Sequence, residues 1–424
     1  MMTTPYFKYR KNKLFCEGVA VDKIVKSVGT PCYIYSANAF VSQFKALQKA
    51  FKPVDPLICF AMKSNDSLAV LKLLAGQGAG ADIVSVGELK KALLAGIDPK
   101  KIVFASVGKT EYEIREALTA GILFFNVESV PELAEIDRIA GALKLKASVA
   151  LRINPDVHAP THEKIATGTL TKKFGLDLAA AHDILRRREQ FPHVTINGLH
   201  IHIGSQIQSV GPYVTAVKKV LNFLNILTQE KIFVQYFDLG GGFGIPYKNE
   251  RLDPLERFAD RLIPLIEKIG LNLIMEPGRF ISGNSGIFVT ETLYIKDNGL
   301  KKFIIVDAGM NDLVRPAMYD AHHEIIPVEK TAAQSGIYDV VGPICESADV
   351  FAKARRLPHV QNGDLLAIMS AGAYGYAMAS NYNVRPRAVE VMVKGNQFSI
   401  IRERETFQDL IRGEKIPSFL KSKD

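Results

Sequence analysis

Eight short apolar segments alternate with amphipathic segments between residues 57 and 276. The apolar segments read LICFAMK, ADIVSV, KIVFASV, ILFFNV, ASVALRI, INGLHIHIG, VQYFDLG and LNLIME. Stretches with helical spacing lie between them, such as SLAVLKLLAGQG and PELAEIDRIAGAL. Nearly continuous apolar strands separated by helices are typical of a parallel sheet covered on both faces. An open doubly wound sheet gives a similar alternation, but the count of eight favours a closed (β/α)8 barrel.

After about residue 281 a β-rich pattern replaces this alternation. IFVTETLYIKD, KKFIIVDA, IYDVVGPI, DLLAIMSA and RAVEVMVKGNQFSIIR read as strands with turns between them. The N-terminal pieces FKYRKNKLFCEG and CYIYS also read as strands, and they precede the helical stretch AFVSQFKALQKAF. We therefore predict an α/β plus all-β chain. A TIM barrel spans residues 37–281, and residues 1–36 and 282–424 form a second β-sandwich or β-barrel domain.

Composition narrows the range of functions. The 53 basic and 44 acidic residues are dispersed along the chain, whereas a nucleic-acid binder usually concentrates its basic residues. The four cysteines include no CxxC pair, which excludes a disulfide scaffold or a Cys-rich zinc site and fits a reducing compartment. No apolar run approaches the roughly 18 residues of a membrane span, and no apolar block follows the basic N-terminus. We expect a cytoplasmic protein that binds neither nucleic acid nor membrane.

Polar residues collect where the predicted barrel strands end, at the face where such barrels place their active sites. Strand ends are also polar simply because they enter solvent, and for any single residue that explanation is sufficient. The set as a whole supplies a lysine, a histidine, an acid and a glycine turn to one rim. Its members are Lys63, Asp82, Ser85, Asn126, Arg152, Asn154, His202, Ser205, Gly240, Gly241, Gly242 and Glu276.

Three of these features have a chemical interpretation beside a structural one. A desolvated Lys63 with a lowered pKa would be an amine nucleophile toward an aldehyde, although most such lysines are surface residues. The glycines Gly240–Gly242 either approach a phosphate or form a tight turn. His200 and His202 face the same side of one strand, but no ligand cluster follows at metal-binding spacing. A ring stacked on a cofactor explains His202 better, and we predict no metal.

Seven segments together resemble one family. They are FAMKSN at 60–65, HIHIGSQ at 200–206, DLGGGFG at 238–244, EPGR at 276–279, MNDLVRPAMY at 310–319, GPICES at 342–347 and GAYGYAMASNYN at 372–383. They are similar, in order and over nearly the whole chain, to the fold-type III decarboxylases that depend on pyridoxal 5'-phosphate. Ser64, beside the lysine, is a mild variation on the family pattern.

The resemblance implies a role for each residue around the cofactor. Lys63 would hold it as a Schiff base, Glu276 would face the pyridine nitrogen and His202 would stack on the ring. An ionised carboxylate at that nitrogen keeps it protonated and makes the ring a stronger electron sink. Asp82 would orient Lys63 or His202. The phosphate would be surrounded by Ser205, Gly240, Gly241, Gly242, Gly278, Arg279 and Tyr374.

The resemblance also implies a reaction and a substrate, meso-2,6-diaminopimelate, which would lose CO₂ to give L-lysine in the last step of lysine biosynthesis. Cys345 would return the proton. The distal carboxylate would meet Arg279, Arg315 and Tyr319, since a guanidinium offers a planar bidentate fit. Glu346 would pair with the distal ammonium, and Tyr374 would also contact substrate. The family further implies a homodimer whose active site is shared across the interface.

Three alternatives remain at this point. A sibling decarboxylase would act on ornithine, arginine or a carboxylated polyamine. These substrates have no distal carboxylate that Arg315 could bind. A cofactor-binding protein without catalysis would consist of a barrel alone. A catalytically dead regulatory homologue would lack Lys63 or Cys345, and this chain has both.

Overall fold

The computed structural model describes residues 5–157, 174–248, 250–331 and 334–420. Its strands are β1 Phe7–Arg10, β2 Lys13–Cys16, β3 Val19–Ala20, β4 Cys32–Ser36, β5 Leu57–Ala61, β6 Gly80–Ile83, β7 Ile102–Ala105, β8 Phe124–Val127, β9 Ala147–Arg152, β10 Val194–His200, β11 Tyr236–Asp238, β12 Asn272–Met275, β13 Gly286–Asp297, β14 Lys302–Val306, β15 Ile325–Pro327, β16 Ser335–Val341, β17 Val350–Pro358, β18 Leu365–Ile368, β19 Val389–Lys394 and β20 Gln397–Arg402.

The helices follow the amphipathic segments of the sequence. They are α1 Val21–Val28, α2 Ala37–Ala50, α3 Leu68–Ala75, α4 Val86–Leu94, α5 Glu111–Ala120, α6 Val130–Leu143, α7 Leu178–Arg186, α8 Gly211–Gln229, α9 Leu255–Ile269, α10 Arg279–Ser282, α11 Arg315–Tyr319 and α12 Phe407–Leu410. Among the described residues, no helix has both the length and the apolar character that crossing a bilayer requires.

Strands β5 to β12 close into a barrel of eight parallel strands, in which β12 pairs with β5. Each of the eight apolar segments supplies one of these strands, so the predicted (β/α)8 barrel is confirmed. A small cluster of Cys59, Val103, Phe124, Ala150 and Ile274 fills part of the interior. The interior is therefore packed, as in other barrels of this kind, and leaves the C-terminal rim for chemistry.

The period of a β-strand explains which side chains reach that rim. Side chains two residues apart point to the same face. Asn126 therefore follows the interior residue Phe124, and Glu276 follows Ile274. By the same rule Asp238 follows Tyr236 at the end of β11. Polar side chains thus form a layer directly above the apolar interior.

The second domain is a nine-stranded mixed sheet, and the predicted β-rich domain is confirmed. Strand β4 lies in it, antiparallel to β13 and parallel to β19, so CYIYS joins the C-terminal domain as expected. The preceding strands β1 to β3 form a sheet of their own. It is tied to the larger domain by hydrogen bonds from the Leu14 amide to the Val328 carbonyl and from the Lys330 amide to the Asn12 carbonyl.

Candidate active site

Lys63 lies in the turn that follows β5, and its side chain is 35% exposed. Its Nζ donates to Oδ2 of Asp82, at the end of β6, over 2.8 Å. Burial lowers the pKa of Lys63, but the negative charges of Asp82 and Glu276 outweigh that effect and raise it above its usual value. The lowered pKa expected from the sequence is thus wrong for this state, because the amine is paired with a buried carboxylate.

The C-terminal domain holds the turn that carries Lys63. The backbone amide of Tyr374 donates to the carbonyl of Ser64 over 2.8 Å. The side-chain amide of Asn65 donates to the carbonyl of Gly372 over 3.1 Å. Tyr374 itself has a positive φ of 55°, which costs a non-glycine residue energy and is common at functional sites. Tyr374 is therefore fixed beside the lysine although it comes from the other domain.

Glu276 is buried within the layer of polar side chains at the barrel rim. The groups that surround it favour its charged form. Nδ2 of Asn126 donates to Oε1 over 3.0 Å, and Nε2 of His200 lies 3.3 Å from Oε2. Burial raises the pKa of Glu276, but His200, Lys63 and a hydrogen bond with Asp238 bring it below its ordinary value. Burial and the charge of Glu276 raise the pKa of Asp238 well above its usual range. Glu276 is therefore the more acidic carboxyl group of this pair.

Asp82 shares the same electrostatic environment. Burial and the charge of Glu276 raise its pKa to about 7, against the lowering effect of Lys63. Its Oδ1 is buried and has no hydrogen-bond partner among the described residues.

His202 lies where β10 has ended, against the glycine turn. Its Nδ1 accepts the backbone N–H of Gly241 over 3.3 Å, so Nδ1 carries no proton. Burial and then the charges of Arg152 and Lys63 lower the pKa of His202 well below its usual value. The imidazole is therefore neutral with its proton on Nε2.

The glycine turn requires glycine for two separate reasons. Gly240 and Gly242 have φ values of 70° and 103°, which side chains rarely allow. A Cβ on Gly241 would stand 2.1 Å from the carbonyl oxygen of Glu276. This backbone is thus packed against the strand end that carries the carboxylate.

Arg279 is buried at the start of α10 and makes only neutral contacts among the described residues. Its Nη2 donates to Oγ of Ser205 over 3.0 Å and its Nη1 to the hydroxyl of Tyr247 over 2.7 Å. The guanidinium also lies 4.9 Å from the ring centre of Tyr374. Its Nε is buried and unpartnered in the described structure. A buried cation without a carboxylate is suited to an anionic ligand.

Arg315, at the start of α11, is a second buried guanidinium. Its Nη1 lies 2.8 Å from Nε2 of His323, and its Cζ lies 4.8 Å from the ring centre of Tyr247. Tyr319, at the end of the same helix, and Arg279 are close enough to influence its charge. No carboxylate pairs with Arg315 in the described parts of the chain.

Cys345 and Glu346 lie outside this cluster. Both are exposed, in the loop that follows β16, and the amide of Cys345 donates to Oδ1 of Asn383 over 2.9 Å. Within the described residues no hydrogen bond or ion pair connects either residue with Lys63. The structure of one chain therefore does not bring them to the lysine.

Gly278, another candidate from the sequence, also lies at this site. Gly278 packs on the Lys63 turn, because a Cβ there would meet the Ser64 side chain at 3.0 Å. No role is predicted from the sequence for Tyr247, which contacts both arginines, or for His323, which contacts Arg315. Their local pattern does not mark them, because Arg279 lies 32 residues from Tyr247 and Met369 lies 46 residues from His323.

His200, His202 and Glu276 have one ligand atom each within 4.8 Å of one another. The spacing of the two histidines does not reveal this grouping, because Glu276 follows a different strand. Glu276 also accepts from Asn126, and His202 accepts from Gly241. These hydrogen bonds orient the side chains without a metal ion, and the absence of a metal stays a prediction.

This chain is similar in sequence and in fold to known pyridoxal-dependent decarboxylases. The family model "Pyridoxal-dependent decarboxylase, pyridoxal binding domain" matches residues 37–283. Diaminopimelate decarboxylase of Aquifex aeolicus is 48% identical over 408 residues, which are 96% of this chain and 97% of that protein. The structure of the Helicobacter pylori diaminopimelate decarboxylase complexed with L-lysine is similar with a TM-score of 0.89 and 41% identity, covering 92% of this chain and 98% of that one.

The diaminopimelate decarboxylase of M. jannaschii, solved in complex with L-lysine, is also similar. The TM-score is 0.94 at 37% identity, and the match covers 98% of this chain and 99% of that chain.

Proposed function

This chain belongs to the diaminopimelate decarboxylases, within the pyridoxal-dependent decarboxylases, and we propose which of its residues perform the reaction of that family. The reaction removes CO₂ from meso-2,6-diaminopimelate and yields L-lysine. The observation that carries the assignment to this chain is the pair of buried arginines, Arg279 and Arg315, close to the lysine pocket and free of carboxylate partners within the described structure.

The residues present fit pyridoxal 5'-phosphate. Lys63 offers an amine for its aldehyde, and the ionised Glu276 offers an acceptor for a protonated ring nitrogen. The unpartnered Nε of Arg279 and the close-packed glycine turn suit a phosphate. When bound, the cofactor supplies an electron sink for the electron pair that CO₂ leaves behind.

The chain's own residues then position and protect this chemistry. Asp82 holds the amine of Lys63 whenever that amine is free, and Asn126 and His200 keep Glu276 charged. The neutral ring of His202 would stack on the cofactor ring. Tyr374 supports the phosphate end from the second domain.

The end of the substrate that does not react is recognised by charge. Arg315 and Tyr319 bind the distal carboxylate, together with Arg279, and Glu346 binds the distal ammonium. A substrate without that carboxylate, such as ornithine, would leave the buried charge of Arg315 uncompensated, which is unfavourable. This favours diaminopimelate over the sibling substrates.

We propose that the active enzyme is a homodimer with composite sites. Cys345 must return a proton from its Sγ to the carbon that has lost CO₂, yet it is exposed and held by Asn383 on its own chain's surface. A partner subunit would bring the partner's Cys345 and the partner's Glu346 to the barrel mouth. A two-fold contact makes both sites equivalent.

Two further assignments are part of the proposal. Residues 37–281 form the cofactor-binding domain, and residues 1–36 and 282–424 form the β-rich domain. The enzyme works in the cytoplasm, which is supported by four cysteines that are all free thiols in the structure.

The test of function incubates purified protein and added cofactor separately with meso-diaminopimelate, ornithine and arginine. The amine products are identified by mass. We expect L-lysine from the first and no product from the other two. Release of putrescine or agmatine at a comparable rate would reassign the substrate.

A further inference from the structure

Arg315 reaches the pocket from a segment whose remaining contacts have no role in the proposed mechanism. His323 is fully buried four residues beyond the end of α11. Its Nε2 lies 2.8 Å from Nη1 of Arg315, and its Nδ1 lies 2.8 Å from the carbonyl oxygen of Met369. The histidine thus connects a cationic side chain to the backbone at the end of β18.

These two contacts fix the protonation of His323. A carbonyl oxygen only accepts, so Nδ1 must carry the proton that it donates to Met369. A guanidinium only donates, so Nε2 must be unprotonated and accept from Arg315. Burial and the charge of Arg315 lower the pKa of His323 well below its usual value, which agrees with this assignment. The ring is a neutral acceptor with one possible orientation.

Tyr247 determines which N–H groups of each guanidinium remain available for a ligand. Its hydroxyl accepts from Arg279 and its ring face lies against Arg315, while its ring also meets that of His323 edge-on at 5.4 Å. The tyrosine therefore keeps two buried cations apart. Arg279 donates to Ser205 on the phosphate side, and Arg315 keeps its remaining N–H groups for the distal carboxylate, to which Arg279 adds its charge.

We propose that His323 is a positioning residue for substrate choice, which holds Arg315 so that its free N–H groups meet the carboxylate at the non-reacting end. This inference rests on the proposed function. A neutral acceptor suits this task better than a carboxylate, because an acidic partner would cancel the charge that the substrate must find. The orientation of a bidentate contact is then set before the substrate arrives.

The experiment compares two variants that each keep one half of the histidine. In His323→Asn the amide nitrogen replaces Nδ1 and still reaches Met369, but no group reaches Arg315. In His323→Gln the amide oxygen replaces Nε2 as the acceptor for Arg315. Binding of L-lysine, which keeps the distal carboxylate, and of cadaverine, which lacks it, is measured by calorimetry on the cofactor-loaded dimer.

We expect His323→Asn to raise the Kd for L-lysine at least tenfold and to change that for cadaverine less than twofold. The KM for diaminopimelate should rise in proportion while kcat changes little, and His323→Gln should recover most of the loss. Equal weakening for both ligands, or equal behaviour of the Asn and Gln variants, would overturn the proposal. If His323→Asn does not fold, His323→Phe keeps the ring against Tyr247 and gives the same comparison.

The unmodified enzyme separates this proposal from the one it rests on. If it fails to form L-lysine from diaminopimelate, the proposed function is wrong, and the role of His323 is wrong with it. If the unmodified enzyme forms and binds L-lysine but the variants do not show the expected differences, only the positioning role of His323 is rejected.

Discussion

Glu276 shows how a barrel interior can hold a carboxylate in its charged form. Desolvation by itself would protonate it. The amide of Asn126, the imidazole of His200 and the neighbouring Asp238, whose own pKa is raised, oppose that effect. The charge is maintained by three side chains from three different strands, so it does not depend on solvent.

Glu276→Gln should keep the cofactor but lower kcat by at least about tenfold, because a neutral amide no longer favours a protonated ring nitrogen. Cofactor content is read from visible absorbance and kcat from CO₂ release. Glu267→Gln, on the exposed face of α9, removes the same charge elsewhere and should leave both unchanged. Near-normal turnover in Glu276→Gln would show that this carboxylate is not needed for the cofactor ring to act as an electron sink.

Arg315→Ala should raise the KM for diaminopimelate strongly, because truncating one partner of a desolvated charge pair costs about 2–5 kcal/mol. Steady-state kinetics provide the measurement. Arg356→Ala, exposed on β17, is the matched control. An unchanged KM in Arg315→Ala would show that other residues bind the distal carboxylate.

At this scale the sequence predicts side chains that stand at strand ends and in distinctive motifs. Asp82 is predicted to orient either Lys63 or His202, and the 2.8 Å contact across neighbouring strand ends joins it to Lys63. Tyr247 could not be predicted because it contacts arginines from distant segments, and His323 because its carbonyl partner, Met369, lies 46 residues further along the chain. The pKa of Lys63 was predicted in the wrong direction, since a charge partner is invisible in a local apolar run.

Among the elements, the turn that follows β11 has the least room for change. Gly241→Ala should lower stability by about 1–3 kcal/mol and weaken cofactor binding, because the new methyl overlaps the carbonyl of Glu276. Thermal unfolding with and without cofactor measures both effects. Gly211→Ala, at the start of α8, meets no atom within 4 Å and should change stability by less than about 0.5 kcal/mol. Equal melting temperatures for the two variants would contradict the packing argument.

The loop between β14 and α11 carries a pH-sensitive carboxyl group. Burial raises the pKa of Asp312 to about 7, so the folded state binds its proton more tightly than the unfolded state does. Stability should therefore fall as pH rises from about 4 to about 7, by at most about 4 kcal/mol.

Asp312→Asn removes this proton equilibrium and keeps a side-chain oxygen for the Gly309 amide. Denaturant unfolding of both proteins at several pH values is the measurement. The variant should gain stability relative to the unmodified protein as pH rises over that interval. A difference that does not vary with pH would show that Asp312 ionises normally in the fold.

Helices and strands were predicted best where hydrophobic periodicity was strong. All eight barrel strands overlap the apolar segments, whereas β17 was missed because charged residues such as Lys353 and Arg356 mask its pattern. β15 was missed because it is only a short edge of the sheet, Ile325–Pro327. Local composition thus predicts buried strands better than exposed or very short ones.

For the whole molecule, the decisive prediction is that two inactive chains restore each other. Lys63→Ala and Cys345→Ala are mixed and allowed to reassociate at random. About half of the dimers are then mixed, and each mixed dimer has one site with both residues intact. About a quarter of the unmodified activity should return. Tagged subunits verify that mixed dimers form; if they form without activity, Cys345 acts within its own chain.

The global architecture was predictable because it depends on counting repeated units, and the β-rich domain because its composition changes abruptly. The proposed dimer follows from the family resemblance and not from any pattern in the residues of one chain. The exposure of Cys345 and Glu346, which supports it, becomes visible only in the folded chain.

The position of the segment 315–323 has a consequence for how such enzymes diversify. Arg315, Tyr319 and His323 lie together between β14 and β15, outside the barrel that carries Lys63 and Glu276. With the roles proposed above for these three residues, substrate preference can change through replacements in one short segment while the residues of the barrel rim stay the same. New specificities among related enzymes should accordingly arise from replacements in that segment before any change in the barrel rim.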